Sequence, residues 1–166
     1  MAYTDIDKPT DYFSTNLWVA DDASSRVLTG FGHTPAMVWT KHRGSGSINP
    51  TITDSVRGGD KQLATATTAA EDSGSHGKIS AFGTDGITVI DGTSGSYPKL
   101  YFNDLNPFGA SVGGNYVGWS WSTGTSFTND ASATGIGSLD SSGSVSTTAG
   151  FSIVSWSGNS STATVG

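Results

Sequence analysis

The chain has 166 residues, of which 34% are hydrophobic, 13% charged and 23 are Gly, with a formal net charge of −6 and no cysteine. Eight scattered Lys and Arg form no basic face, which argues against nucleic-acid binding and polybasic attachment to a membrane. The lack of cysteine excludes disulfides and thiolate metal sites within the chain. Five Trp, five Tyr and seven Phe separate it from disordered Gly/Ser-rich chains, which are poor in aromatics.

In chain order, the start Met1-Ala-Tyr-Thr-Asp-Ile-Asp has neither an apolar run nor a basic leader. The expectation is synthesis in a cytoplasm without a secretory signal. No run is long enough to span a bilayer as a helix. Residues 13–19 alternate with period two and predict a strand. A second follows over 26–31, after the polar turn Asp21-Asp-Ala-Ser-Ser25. A third covers 35–41, with Ala36, Val38 and Thr40 on one face and Met37 and Trp39 on the other. Residues 47–53 form a fourth, and Pro50 predicts an edge position for it. The Ala-rich stretch 61–72 carries too many threonines for a good helix, and a short irregular or helical crossover is expected. Residues 78–82 and 86–90, joined through Asp85-Gly86, predict a hairpin. Strands are expected at 99–102 and 115–122, the latter with Val117, Trp119 and Trp121 as its core face. The Ser/Thr/Gly-rich stretch 123–149 predicts a linker.

Short strands broken by Gly, Asn and Asp predict an all-β fold, a two-sheet antiparallel sandwich. The end of the chain echoes its beginning. Phe151-Ser and Trp156, followed by a Ser-Ser turn, repeat the order of Phe13-Ser, Trp18 and Ser24-Ser25. The expected organisation is a sandwich module over 1–122, a linker over 123–149, and the first strand or strands of a second repeat over 150–166. Strands of such a copy leave open edges.

No catalytic constellation emerges. His33, His42 and His76 sit beside turn residues and are expected at the surface. No Gly-x-Ser-x-Gly elbow accompanies them. Glu71 with Asp72, and the pair Asp21-Asp22, suit solvated loops better than a glycosidase pair. Asp54 and Arg57 suit a structural ion pair closing a turn. Asn103, Asp104 and Asn106 place hard oxygen ligands in one loop, a calcium-like pattern that a plain turn also explains. Tyr97, Tyr101, Phe102 and Phe108 flank that loop and are candidates for an exposed contact surface. The ligand-binding candidates are therefore Tyr97, Tyr101, Asn103, Asp104, Asn106 and Phe108. Trp119 and Trp121, with Asp54 and Arg57, are assigned structural roles. No cofactor, metal or catalytic activity is expected.

Several segments resemble a repeated module of tailed-phage virion proteins, common in marine and cyanobacterial phages. They are Tyr3-Thr-Asp-Ile-Asp-Lys-Pro-Thr-Asp-Tyr-Phe13, Asp54-Ser-Val-Arg-Gly58 with Lys61-Gln-Leu63, the Phe82…Asp85-Gly86 turn, Asn115-Tyr-Val-Gly-Trp-Ser-Trp121 and Gly150-Phe-Ser-Ile-Val-Ser155. The resemblance implies a jelly-roll or concanavalin-like sandwich in the virion. The implied role is a structural protein of the tail-fibre or receptor-binding type. The alternatives are a capsid-surface decoration or head-fibre protein and a carbohydrate-binding accessory module. The implied partners are further copies of the chain in a homo-oligomer such as a trimer, other virion proteins, and a host-surface glycan or receptor; neither nucleic acid nor membrane insertion is implied.

Overall fold

The computed structural model describes residues 6–44, 47–109 and 113–166; the first residues of the Tyr3–Phe13 motif lie outside them. The fold is all-β, a sandwich-like arrangement of three antiparallel sheets. Among the described residues the strands are β1 (Phe13–Val19), β2 (Ser25–Thr29), β3 (Pro35–His42), β4 (Thr51–Asp54), β5 (Gly58–Ala64), β6 (Lys78–Gly83), β7 (Gly86–Ile90), β8 (Asn115–Ser122), β9 (Thr125–Asn129), β10 (Ser141–Ser146) and β11 (Phe151–Trp156). A single helical turn, α1 (Ala131–Thr134), lies between β9 and β10.

The largest sheet has the order β1-β8-β3-β4-β5, and its inner face packs on the sheet β2-β7-β6. Between them lies the core: Trp18, Leu28, Phe31, Val38, Ile79, Ile87, Val89, Phe102 and Tyr116. Part of the same inner face is polar. Ser14, Ser120, Thr40, Thr51, Thr53 and Gln62 are buried there. Such groups need partners when buried, and several have them: Thr40 and Thr51 share a 2.9 Å hydroxyl contact, and Gln62 Nε2 donates to the Gly77 carbonyl at 2.6 Å.

The outer face of this sheet carries aromatic pairs. Trp39 lies 5.4 Å from Trp119, and Phe13 sets its edge 5.1 Å from Trp121. The third sheet, β11-β10-β9, reaches this face through β11, where Phe151 stacks on Trp121 at 5.6 Å.

Five expectations are corrected. The core face of β8 is Tyr116, Gly118, Ser120 and Ser122, all buried, whereas Trp119 and Trp121 point outward and are only partly covered. Both faces of β8 are occupied, so side-chain size did not mark the inner one. Residues 47–53 are not an edge strand: β4 begins after Pro50 and pairs with both β3 and β5. The 61–72 stretch opens in a strand and not in a crossover: β5 runs through Ala64, only residues 65–71 are irregular, and Gln62 bridges to Asp72. Residues 99–102 form turns closed by Phe102 N–H and Asn103 N–H on the Lys99 carbonyl, at 3.1 and 2.9 Å. Their Leu100 and Phe102 are nonetheless buried. The stretch expected as a linker holds β9, α1 and β10. There Asp130 caps α1 by accepting from Ser132 N–H and Ala133 N–H, which fits the preference of Asp for that position.

Candidate functional site

The loop 97–109 divides the sequence-predicted residues three ways. Asn103 is buried and fully occupied. Its Oδ1 accepts from Asp21 N–H at 3.2 Å and from Arg26 at 3.1 Å, while its Nδ2 donates to Asp21 Oδ1 at 2.8 Å and to the Ala23 carbonyl at 3.0 Å. It ties the loop to the 20–24 turn and has no oxygen to spare for a cation. The hydrogen bond from Asn103 is also the main reason the Asp21 carboxyl is held below its usual range.

Asp104 accepts from Asn106 N–H at 2.9 Å in an Asx turn, and burial pushes its carboxyl upward. The Tyr116 hydroxyl lies beneath it, donating to the Leu100 carbonyl at 2.8 Å. Tyr101 turns inward, packing on the core and lying 5.3 Å from the His76 ring; burial raises its hydroxyl pKa.

The remaining candidates meet at the surface. Tyr97 and Phe108 form an edge-to-face pair with centroids 5.0 Å apart, and Phe108 is 44% exposed. Leu105 and Asn106 are exposed in the same loop. Phe108 adopts φ 60°, ψ 22°, in the left-handed region that a bulky side chain rarely enters. Strain of this kind concentrates at functional positions, and here it presents an aromatic ring to solvent.

Asp54 and Arg57 form a two-pronged ion pair, Nε to Oδ2 at 2.7 Å and Nη2 to Oδ2 at 2.6 Å. The second nitrogen end of Arg57 holds Glu71 at 2.7 Å, tying the β4–β5 turn to the segment after β5.

The histidines are not all at the surface: His33 and His42 are buried. His33 Nδ1 lies 2.7 Å from the Thr10 carbonyl, which can only accept, so Nδ1 carries a hydrogen. Its Nε2 lies 3.1 Å from Ser120 Oγ, which in turn is 3.0 Å from Ser14 Oγ; Ser14 donates to Asn16 Oδ1 at 2.8 Å. This is a Ser–His contact that spacing alone did not reveal. Ser120 is fully buried, so the chain of bonds pins β1, β8 and the β2–β3 turn together. His42 donates from Nε2 to the Gly113 carbonyl at 3.0 Å and accepts Gly44 N–H on Nδ1 at 3.1 Å. Burial is the main cause of its lowered pKa.

Among the described residues, no group of three or more His, Asp or Glu side chains is placed to hold a metal ion. No helix among them is long and apolar enough to cross a membrane.

One known domain family matches the sequence over residues 8–166. The chain belongs to the domain of unknown function DUF7483. The match runs continuously through the 123–149 segment and β11, so the DUF7483 domain includes all three sheets. Neither a curated protein nor a solved structure matches the chain.

Sequence reasoning missed one surface. A groove lies around the ends of β9, β10 and β11, with Trp156 among its lining residues. The signal for it was the second copy of the Phe-Ser…Trp pattern, whose tryptophan stays 55% exposed on β11.

Proposed function

We propose that this chain is a structural virion protein of a tailed phage, a tail-fibre or receptor-binding-type subunit that displays a rigid β-sandwich for assembly and host-surface contact. It works without catalysis, and its partners are further copies of itself, neighbouring virion proteins and a host-surface receptor. Weak contacts repeated around a cyclic oligomer add up through effective concentration.

The observation that carries this reading is the Phe108 tip: an exposed aromatic on strained backbone, braced by Tyr97 above a loop that Asn103 anchors. A rigid, preorganised aromatic is the kind of anchor that contact surfaces use.

The test is immunogold electron microscopy of intact particles with an antibody raised against the chain. Label along the tail or its fibres is the expected result. Label over the head replaces this reading with a capsid decoration protein, and particles without label overturn the virion assignment. The loop is tested separately with Phe108→Asn. Asn tolerates the left-handed backbone, so the melting temperature is expected to hold while adsorption to host cells falls.

A further inference from the structure

We infer that the groove beside Trp156 is a binding site for neutral pyranoside glycans. The inference rests on the host-contact reading above and gives it a ligand class and a place.

The groove has a volume of about 700 Å³ and is lined by Trp156, Asn129, Asp130, Asp140 and serines of β10 and β11. Strand register puts Asn129, Ser141 and Trp156 side by side in one row across the third sheet. Trp156 is 55% exposed. Its counterpart in the N-terminal copy, Trp18, is 8% exposed, stacks on Tyr116 at 5.6 Å and donates to the Phe102 carbonyl at 2.7 Å. Among the described residues no aromatic ring covers Trp156, and its indole N–H has no partner. One tryptophan is spent on the core while the other presents an apolar face with a polar edge, which is what the C–H face and hydroxyls of a sugar ring require.

The polar wall is preorganised. Asp130 engages Ser132 and Ala133 through Oδ1, and Asp140 accepts Ala131 N–H through Oδ1 at 2.9 Å. In each, Oδ2 remains open to accept a sugar hydroxyl. Those bonds to Ser132 and Ala133 hold the Asp130 carboxyl below its usual range, so it stays an acceptor. No Lys or Arg lines the groove, and the chain carries a net charge of −6. Uronic and sialic acids would be repelled, and neutral hexopyranosides would not.

The test uses the full chain with ¹⁵N-labelled indoles, the Trp156 signal being assigned as the one missing from Trp156→Ala. Maltohexaose, cellohexaose, chitohexaose and laminarihexaose are titrated to millimolar concentration, with hyaluronan and polygalacturonate oligomers as acidic controls. The expected result is a saturable shift of the Trp156 signal with at least one neutral sugar and none with the acidic ones. Trp156→Ala is expected to weaken binding about tenfold or more, as for loss of an aromatic anchor. Asp140→Asn should weaken it while the melting temperature holds. No shift with any neutral sugar, or equal binding of the acidic oligomers, overturns the site. A shift that follows protein concentration alone marks the groove as an interface between copies and overturns it too. Particles labelled along the tail together with silent titrations sink the groove alone; a sugar-dependent shift with unlabelled particles sinks the virion reading and leaves the groove.

Discussion

Gly118→Ala tests the packing on which the main sheet depends. Gly118 sits in the middle of β8, opposite Asn16 of β1 and Thr40 of β3. A Cβ added there would lie 2.9 Å from Cζ3 and 3.1 Å from Cη2 of Trp18. The indole cannot retreat easily, because its N–H is bonded to the Phe102 carbonyl and its face lies 7° from parallel with Tyr116, whose other neighbour is the His42 ring edge at 4.9 Å. Overpacking of this kind costs roughly 1–3 kcal/mol, set against a gain of at most about 1 kcal/mol from replacing a strand glycine. The expected net effect is destabilisation, up to about 3 kcal/mol, or a fall in melting temperature of up to roughly 12 °C for a chain of this size. Urea unfolding followed by tryptophan fluorescence should show a lower midpoint with an unchanged slope. Adding Trp18→Leu, which removes the clashing ring, should make Gly118→Ala nearly neutral, a clear departure from additivity. A stabilised Gly118→Ala variant, or two substitutions whose effects simply add, would refute the proposed contact.

Arg57→Ala leaves Asp54, whose side chain is 4% exposed, with only the N–H groups of Val56 and Arg57 as partners. Breaking such a pair from one side is expected to cost roughly 3 kcal/mol, read by urea denaturation, with little dependence on salt. His42 is held mainly by burial below the ordinary histidine value of 6.5, so below that pH the unfolded chain binds the extra proton more readily than the folded one. The stability that His42 contributes is complete above about pH 6.5 and is lost as pH falls through its folded value; the urea midpoint should therefore drop more steeply with acid in the wild type than in His42→Gln. For His33, ¹⁵N NMR should find a hydrogen on Nδ1, because the Thr10 carbonyl 2.7 Å away can only accept. A ring with no hydrogen on Nδ1 would contradict the contact with Thr10.

Strands were legible in the sequence where alternation and turn chemistry agree. Residues 13–19 form β1, and the 83–86 turn joins β6 to β7. Two properties hid the remainder. One is that the main sheet is covered on both sides, so in β8 the large Trp119 and Trp121 meet Trp39, Phe13 and Phe151 outside, while Gly118 and Ser120 make room for Trp18 and His33 within. Side-chain size therefore did not separate the two faces: Tyr116 lies within beside Gly118 and Ser120, and the two tryptophans lie without. The other is that β9 and β10 are held by backbone ladders that serine and threonine satisfy as well as valine does. Their pairing depends on the register of Ser141 with both Asn129 and Trp156, which periodicity of hydrophobic residues cannot show.

The candidate site was legible as a set of residue types but not as a geometry. Asn103 and Asp104 looked like ligands because nothing in the sequence reveals that Asp21, Ala23 and Arg26, some eighty positions earlier, consume Asn103. His33 and His42 looked exposed because their partners include carbonyls of Thr10 and Gly113, groups that every residue carries and no pattern marks. The same economy accounts for the aromatics at the surface. With Ser14, Ser120, Thr40, Thr51 and Gln62 filling inner positions through hydrogen bonds, the core does not need every ring the chain possesses. Phe108 and Trp156 are left outside, one on strained backbone and the other beside a polar groove, and in a sequence only one-third hydrophobic those are the two rings whose exposure most needs a partner to explain it.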